Sequence, residues 1–141
     1  IVVYFEAADL EELAPFLKQL PGIVVVDHIG RPDVTKGVDH PDFARFIKLM
    51  AKNENIWAKV TCPERLTAMG APYDDVVPYY QAIVNRFEDR VLWGTDWPHP
   101  NMKSHMPDDG ALVDYIPRIA QNSEQQYKLL VANPMQLYWA T

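Results

Sequence analysis

Residues Arg90–Pro100 read RVLWGTDWPHP, and their interpretation decides the fold. An apolar run, Val91 to Trp93, leads through Gly94 and Thr95 into Asp96, and Pro98 and Pro100 then bar the chain from continuing along the same path. A buried strand ending in an acid is where a (β/α) barrel places chemistry, because side chains at the carboxyl ends of its strands converge on the open mouth. Asp96 is therefore the leading catalytic candidate. The same segment also fits an aspartate that caps the next helix or closes an Asx turn, so the rest of the chain has to decide.

Moving outward, strand and helix patterns alternate. Ile1 to Phe5 is β-branched and aromatic and predicts a buried strand, followed by a helix over 8–19 with Leu10, Leu13, Phe16 and Leu17 at helical spacing and acids in its first turn. Ile23 to Val26 is an unbroken IVVV of the kind found in parallel sheets covered on both faces, and it runs into Asp27, His28 and Gly30. A helix over 42–52 carries Phe43, Phe46, Ile47 and Met50 on one stripe. NIWAKVTC, residues 55–62, is the third strand, the long loop CPERLTAMGAPYDD leads to a helix over 76–87, and Val91 to Thr95 is the fourth strand. After a loop over 98–109, helices over 110–121 and 123–131 and a short closing helix over 133–139 complete the pattern.

Four such βα units predict parallel strands with helices outside. No Gly-rich phosphate loop follows any strand, so a doubly wound sheet is disfavoured and the expected fold is α/β, half of a TIM-type eight-stranded barrel. The chain opens at Ile1 with a strand already under way. It is accordingly expected to be a single-domain segment, residues 1–141, forming the C-terminal half of a longer barrel whose first half would add roughly 150 residues.

Composition narrows the function classes. At 141 residues and 48% apolar the chain is long enough for one domain with a substantial core. A net charge of −6 with scattered Lys and Arg argues against nucleic acid as a partner, so any bound anion must be held by a few local arginines. No stretch approaches the roughly 20 apolar residues of a membrane span. A lone cysteine, Cys62, excludes an internal disulfide and fits a reducing compartment, with the cytoplasm as default.

Tyr4, His28, Arg65 and Asp96 fall at strand ends or just beyond, where a barrel would bring them together. Each also has an ordinary reading: Tyr4 as a core aromatic, His28 as a structural histidine, and Arg65 and Arg31 as solvated loop residues. For a zinc site the chain offers His28 and Asp96 but neither H-x-H nor H-E-x-x-H, so no metal is expected, with a single divalent ion such as zinc as the alternative. Cys62 reads as a buried inert thiol, His99 and His105 as exposed or lid residues, His40 as a surface residue near a helix start, and Trp97 as a ring that desolvates Asp96.

The pieces VVDHIGRPD, IWAKVTC with Arg65, and VLWGTDWPHPN resemble the C-terminal half of the amidohydrolase superfamily, in its branch of metal-independent lactonases. The resemblance covers essentially the whole chain; the terminal Asp is weakly specific, while D-H-x-G-R-P-D together with G-T-D-W-P-H-P is more so. It implies a hydrolase that opens a cyclic ester, most pointedly a dicarboxylate lactone such as 2-pyrone-4,6-dicarboxylate. Asp96 would act as general base, His28 would polarise the carbonyl or orient the water, and Tyr4, Arg31, Arg65 and Asn101 would hold the substrate. The alternatives are a zinc-dependent decarboxylase or sugar lactonase of the same superfamily, and a half barrel without catalysis whose open strand edges require a partner.

Overall fold

The four apolar runs pair as one sheet. In the computed structural model, which describes residues 1–139, β1 (Val2–Val3), β2 (Val24–Val26), β3 (Ile56–Lys59) and β4 (Val91–Leu92) lie in the order β1-β2-β3-β4, all parallel. Parallel neighbours need a crossover, and α1 (Leu10–Leu17), α2 (Pro41–Lys52) and, after a short helix α3 (Pro63–Leu66), α4 (Val77–Arg86) supply the helices of the three crossovers. The expected α/β alternation is therefore present.

Alternation along the strands separates two faces. Val24, Val26, Ile56, Ala58 and Val91 belong to the main core with Leu10, Phe43, Phe46, Met50, Tyr80 and Ile83 from the helices. Burying each large side chain of this kind contributes about 1.5–3 kcal/mol. On the opposite face Val25, Trp57 and Leu92 form a smaller cluster, covered by Leu137.

Local chemistry fixes the helix starts. Pro41 occupies the first turn of α2, where its missing N–H costs nothing, and the His40 ring accepts from the Asp42 amide. The Arg90 guanidinium donates to the carbonyls of Met50, Asn53 and Ile56, tying the end of α2 and the start of β3 to the entry of β4.

The structure departs from the sequence reading at several boundaries. The strands are shorter than expected, and the chain beyond β2, β3 and β4 turns away through left-handed conformations, with His28 at φ 51°, Cys62 at 65° and Asp96 at 65°. Part of the loop after β3 is α3, started by Pro63. The helix expected over 110–121 is two, α5 (Asp109–Asp114) and α6 (Ile116–Ile119), because Pro117 has no N–H to bond the Val113 carbonyl. The next, α7 (Ser123–Tyr127), widens into a π-helical turn over Lys128–Ala132 and runs into α8 (Asn133–Tyr138), the expected closing helix. Buried Asn133 anchors it by donating to the carbonyls of Glu88 and Val91. Among the described residues no helix is long and apolar enough to cross a membrane.

Candidate active site

The turns that follow the strands also build the site. His28, Ile29, Arg31, Cys62, Asp96 and His99 all carry positive φ and all lie just beyond strand carboxyl ends. Such conformations cost of order 1 kcal/mol each for non-glycine residues and concentrate at functional sites. Gly30, at φ +69°, completes the turn after β2; a Cβ there would meet the Phe5 ring at 2.7 Å, so no larger residue fits without a shift.

Tyr4, His28, Arg65, Asp96 and Asn101 line one cleft of about 400 Å3, together with Asp27 and Pro100. Five of the six residues singled out from sequence thus meet in one place. Arg31 is the exception. It lies on an adjoining hollow shared with Arg65 and reaches the cleft through Tyr4, whose hydroxyl accepts from the Arg31 guanidinium at 3.1 Å and donates to Glu6 at 2.9 Å.

His28 is buried at the centre. Its Nδ1 is 2.6 Å from the Thr61 hydroxyl, while Nε2 faces Asp96 Oδ1 at 3.9 Å and Cys62 Sγ at 3.7 Å. Burial pulls the imidazole below its ordinary pKa, opposed in part by Asp96 and Asp27. The opposite oxygen of Asp96 is 3.6 Å from the Arg65 guanidinium, so the carboxylate is flanked by an imidazole and a fixed cation. Asp27, on the cleft wall, pairs with Lys59 at 2.7 Å.

Three details differ from expectation. His99 is 4% exposed rather than solvated: Nδ1 faces Glu64 at 3.5 Å and Nε2 faces Asp109 at 3.1 Å. The Trp97 ring is 75% exposed and does not cover Asp96. Cys62 is buried, as expected, and burial pushes its thiol far up, but it has an imidazole beside it that its own segment does not announce. The register explains this proximity: Val26 pairs with Ala58, so the residues leaving β2 and β3 emerge together. Thr61 and Glu64 were missed for a similar reason, since only strand pairing brings them to His28 and His99. His105 is exposed, as expected.

His28, Cys62 and Asp96 each offer one donor atom, and these lie within 4.8 Å of one another. A nitrogen, a sulfur and a carboxylate oxygen so arranged match the donor preferences of a single zinc-sized cation.

The chain is similar to several known proteins. The chain is 60% identical to 2-pyrone-4,6-dicarboxylate hydrolase of Comamonas testosteroni over 99% of its own length and 48% of the relative's. It is 38% identical to 4-sulfomuconolactone hydrolase of Hydrogenophaga intermedia, covering 96% of the chain and 45% of that protein. Among solved structures, a probable 2-pyrone-4,6-dicarboxylic acid hydrolase from Acinetobacter baumannii with citric acid bound superposes with a TM-score of 0.83 at 27% identity, over 99% of this chain and 52% of that one. The chain spans about half the length of the curated relatives it matches. Its parallel α/β sheet is the architecture of half of such an enzyme. The amidohydrolase family model matches residues 1–139, and the chain belongs to that family.

Proposed function

We propose that this chain supplies the C-terminal half of a lactonase barrel that opens a planar dicarboxylate lactone, 2-pyrone-4,6-dicarboxylate, by addition of water. The observation that carries this reading is the convergence of Tyr4, His28, Arg65, Asp96 and Asn101 on one cleft, with two arginines able to match carboxylates within or beside it. The similarity to relatives named as hydrolases of a pyrone dicarboxylate and of a sulfonated lactone supports the substrate class.

In the proposed reaction Asp96 takes a proton from water as its oxygen bonds to the ring carbonyl carbon. The carbonyl oxygen becomes an oxyanion, stabilised by His28 and by donors from the first half of the barrel, each typically worth about 3 kcal/mol. The tetrahedral intermediate then collapses. Its ring C–O bond breaks, and the departing enolate oxygen takes the proton from Asp96. For His28 to donate from Nε2, Nδ1 must accept, so the Thr61 hydroxyl donates at the 2.6 Å contact and fixes the tautomer. Arg65 and Asn101 would hold one end of the substrate and Tyr4, steadied by Arg31, the other. A planar guanidinium engages a carboxylate through two parallel hydrogen bonds, which lets an acidic chain accept an acidic substrate.

The donor triad of His28, Cys62 and Asp96 favours a second reading, a zinc-dependent relative. Zinc held there would supply Lewis-acid polarisation of the carbonyl or of water. Cytoplasmic location is part of the same proposal and rests on the lone buried thiol of Cys62. The test is a spectrophotometric ring-opening assay of the full-length protein with the pyrone dicarboxylate, before and after chelation, alongside metal analysis. Activity that survives removal of metal supports the first reading; activity that disappears with the metal and returns with zinc supports the second; no ring opening under either condition overturns both.

A further inference from the structure

Behind the cleft lies a second group of ionisable side chains that the proposed reaction does not use. Glu64 sits in α3 immediately before Arg65, with its carboxyl 2% exposed and neither oxygen hydrogen-bonded among the described residues. Facing it is the His99 ring, itself 3% exposed, with Nδ1 at 3.5 Å from Glu64 and Nε2 at 3.1 Å from Asp109 at the start of α5. His99 is also bound into its own loop: its amide donates to the Asp96 carbonyl at 2.8 Å, and its carbonyl accepts from the Met102 amide at 3.0 Å. One imidazole therefore joins three segments, those that begin with α3, that follow β4, and that enter α5.

A buried carboxyl facing a single imidazole is an expensive way to fill space, since an apolar pair packs without a desolvation penalty. What a carboxyl and an imidazole facing each other at 3.5 Å add is a preferred distance and direction between the two backbones that carry them. Here those backbones carry Arg65, the next residue after Glu64, and Asn101, two residues beyond His99. Both line the cleft. We infer that Glu64 and His99 form a positioning pair that sets the separation of Arg65 and Asn101 across the cleft and thereby fixes selectivity for a carboxylate-bearing ring. The role belongs to the lactonase proposed above and rests on that reading; neither residue touches substrate.

The experiment uses Glu64→Gln, His99→Gln and the double variant in the full-length protein. Binding of benzene-1,3-dicarboxylate, a planar and unreactive ring with the same 1,3 arrangement of carboxylates, is followed by calorimetry. Turnover of the pyrone dicarboxylate and thermal unfolding are measured alongside. Each single variant is expected to weaken dicarboxylate binding and raise KM about tenfold or more with a much smaller change in kcat, and the double variant to be no worse than the poorer single one, because misplacing a carboxylate clamp penalises binding and the two residues act through one contact. A lowered Tm with Kd and KM unchanged makes the pair merely structural and overturns the inference, as does a double variant whose effects multiply. Wild-type protein that binds the benzene dicarboxylate but opens no lactone ring defeats the lactonase reading, while the variants' Kd still decides the role of the pair. Wild-type protein that binds no dicarboxylate overturns the inference outright.

Discussion

His28 and Asp96, contributed by strands that are not neighbours, face each other across the sheet mouth with Nε2 and Oδ1 3.9 Å apart. The gap is too wide for a direct hydrogen bond and leaves both groups free to act on a third atom between them. A water or a carbonyl oxygen beside both would touch the carboxylate on one side and the imidazole on the other.

Replacing Asp96 by Asn should therefore lower kcat of the full-length protein by about 10^2- to 10^4-fold, the usual worth of a positioned general base. The fold should survive, because Asp96 sits at φ 65° and Asn tolerates that conformation as well as Asp does. Near-normal turnover in a variant with an unchanged melting curve would remove Asp96 from the base role.

The Arg65 guanidinium is 3.6 Å from Asp96, and Arg65→Lys keeps a positive charge but loses the planar fork. KM for a dicarboxylate lactone is expected to rise by about tenfold or more, the order of one charge-assisted hydrogen bond, with kcat less affected. Equal KM values for the Lys and Arg proteins would show that the guanidinium does not clamp a carboxylate.

Burial holds the His28 imidazole below its ordinary pKa, so the unfolded chain takes up this proton at a higher pH than the folded protein does. Between those two pH values the unfolded state binds more protons, and this residue's contribution to stability rises with pH. Denaturation of the wild type should then lose stability as pH falls below about 6.5, and His28→Gln should flatten that slope. Parallel pH profiles for the two proteins would contradict a neutral buried His28.

Gly30→Ala combines a positive φ with a Cβ 2.7 Å from the Phe5 ring. A loss of about 2–4 kcal/mol is expected from backbone strain plus overpacking, measurable by urea unfolding. Gly37→Ala, at φ +84° with open space around the added Cβ, should cost distinctly less. Equal losses at the two positions would show that the Phe5 contact is soft.

The elements that were legible in sequence are those whose signal is local. IVVV and NIWAKV announce β2 and β3 because both faces of a parallel strand are covered, and the Phe43, Phe46 and Met50 stripe announces α2. Asp96, His28 and Arg65 could be picked out because each follows such a strand. The burial of His99 could not, since its partner Glu64 is supplied by a different βα unit and no spacing rule links them. The nearness of Cys62 to His28 likewise depends on the β2–β3 register, which becomes visible only once the strands are paired. The break at Pro117 had a plain local cause that the apolar spacing around it obscured.

Leu137 of α8 rests on Val25, Trp57 and Leu92, and Asn133 pins the start of the same helix to the carbonyl of Val91. Trp57 lies four residues before Thr61, about 13 Å along an extended strand, so this apolar stopper sits well below the level of the reacting groups. The terminal helix, though it carries none of the chemistry, thus keeps part of the sheet face opposite the crossover helices dry.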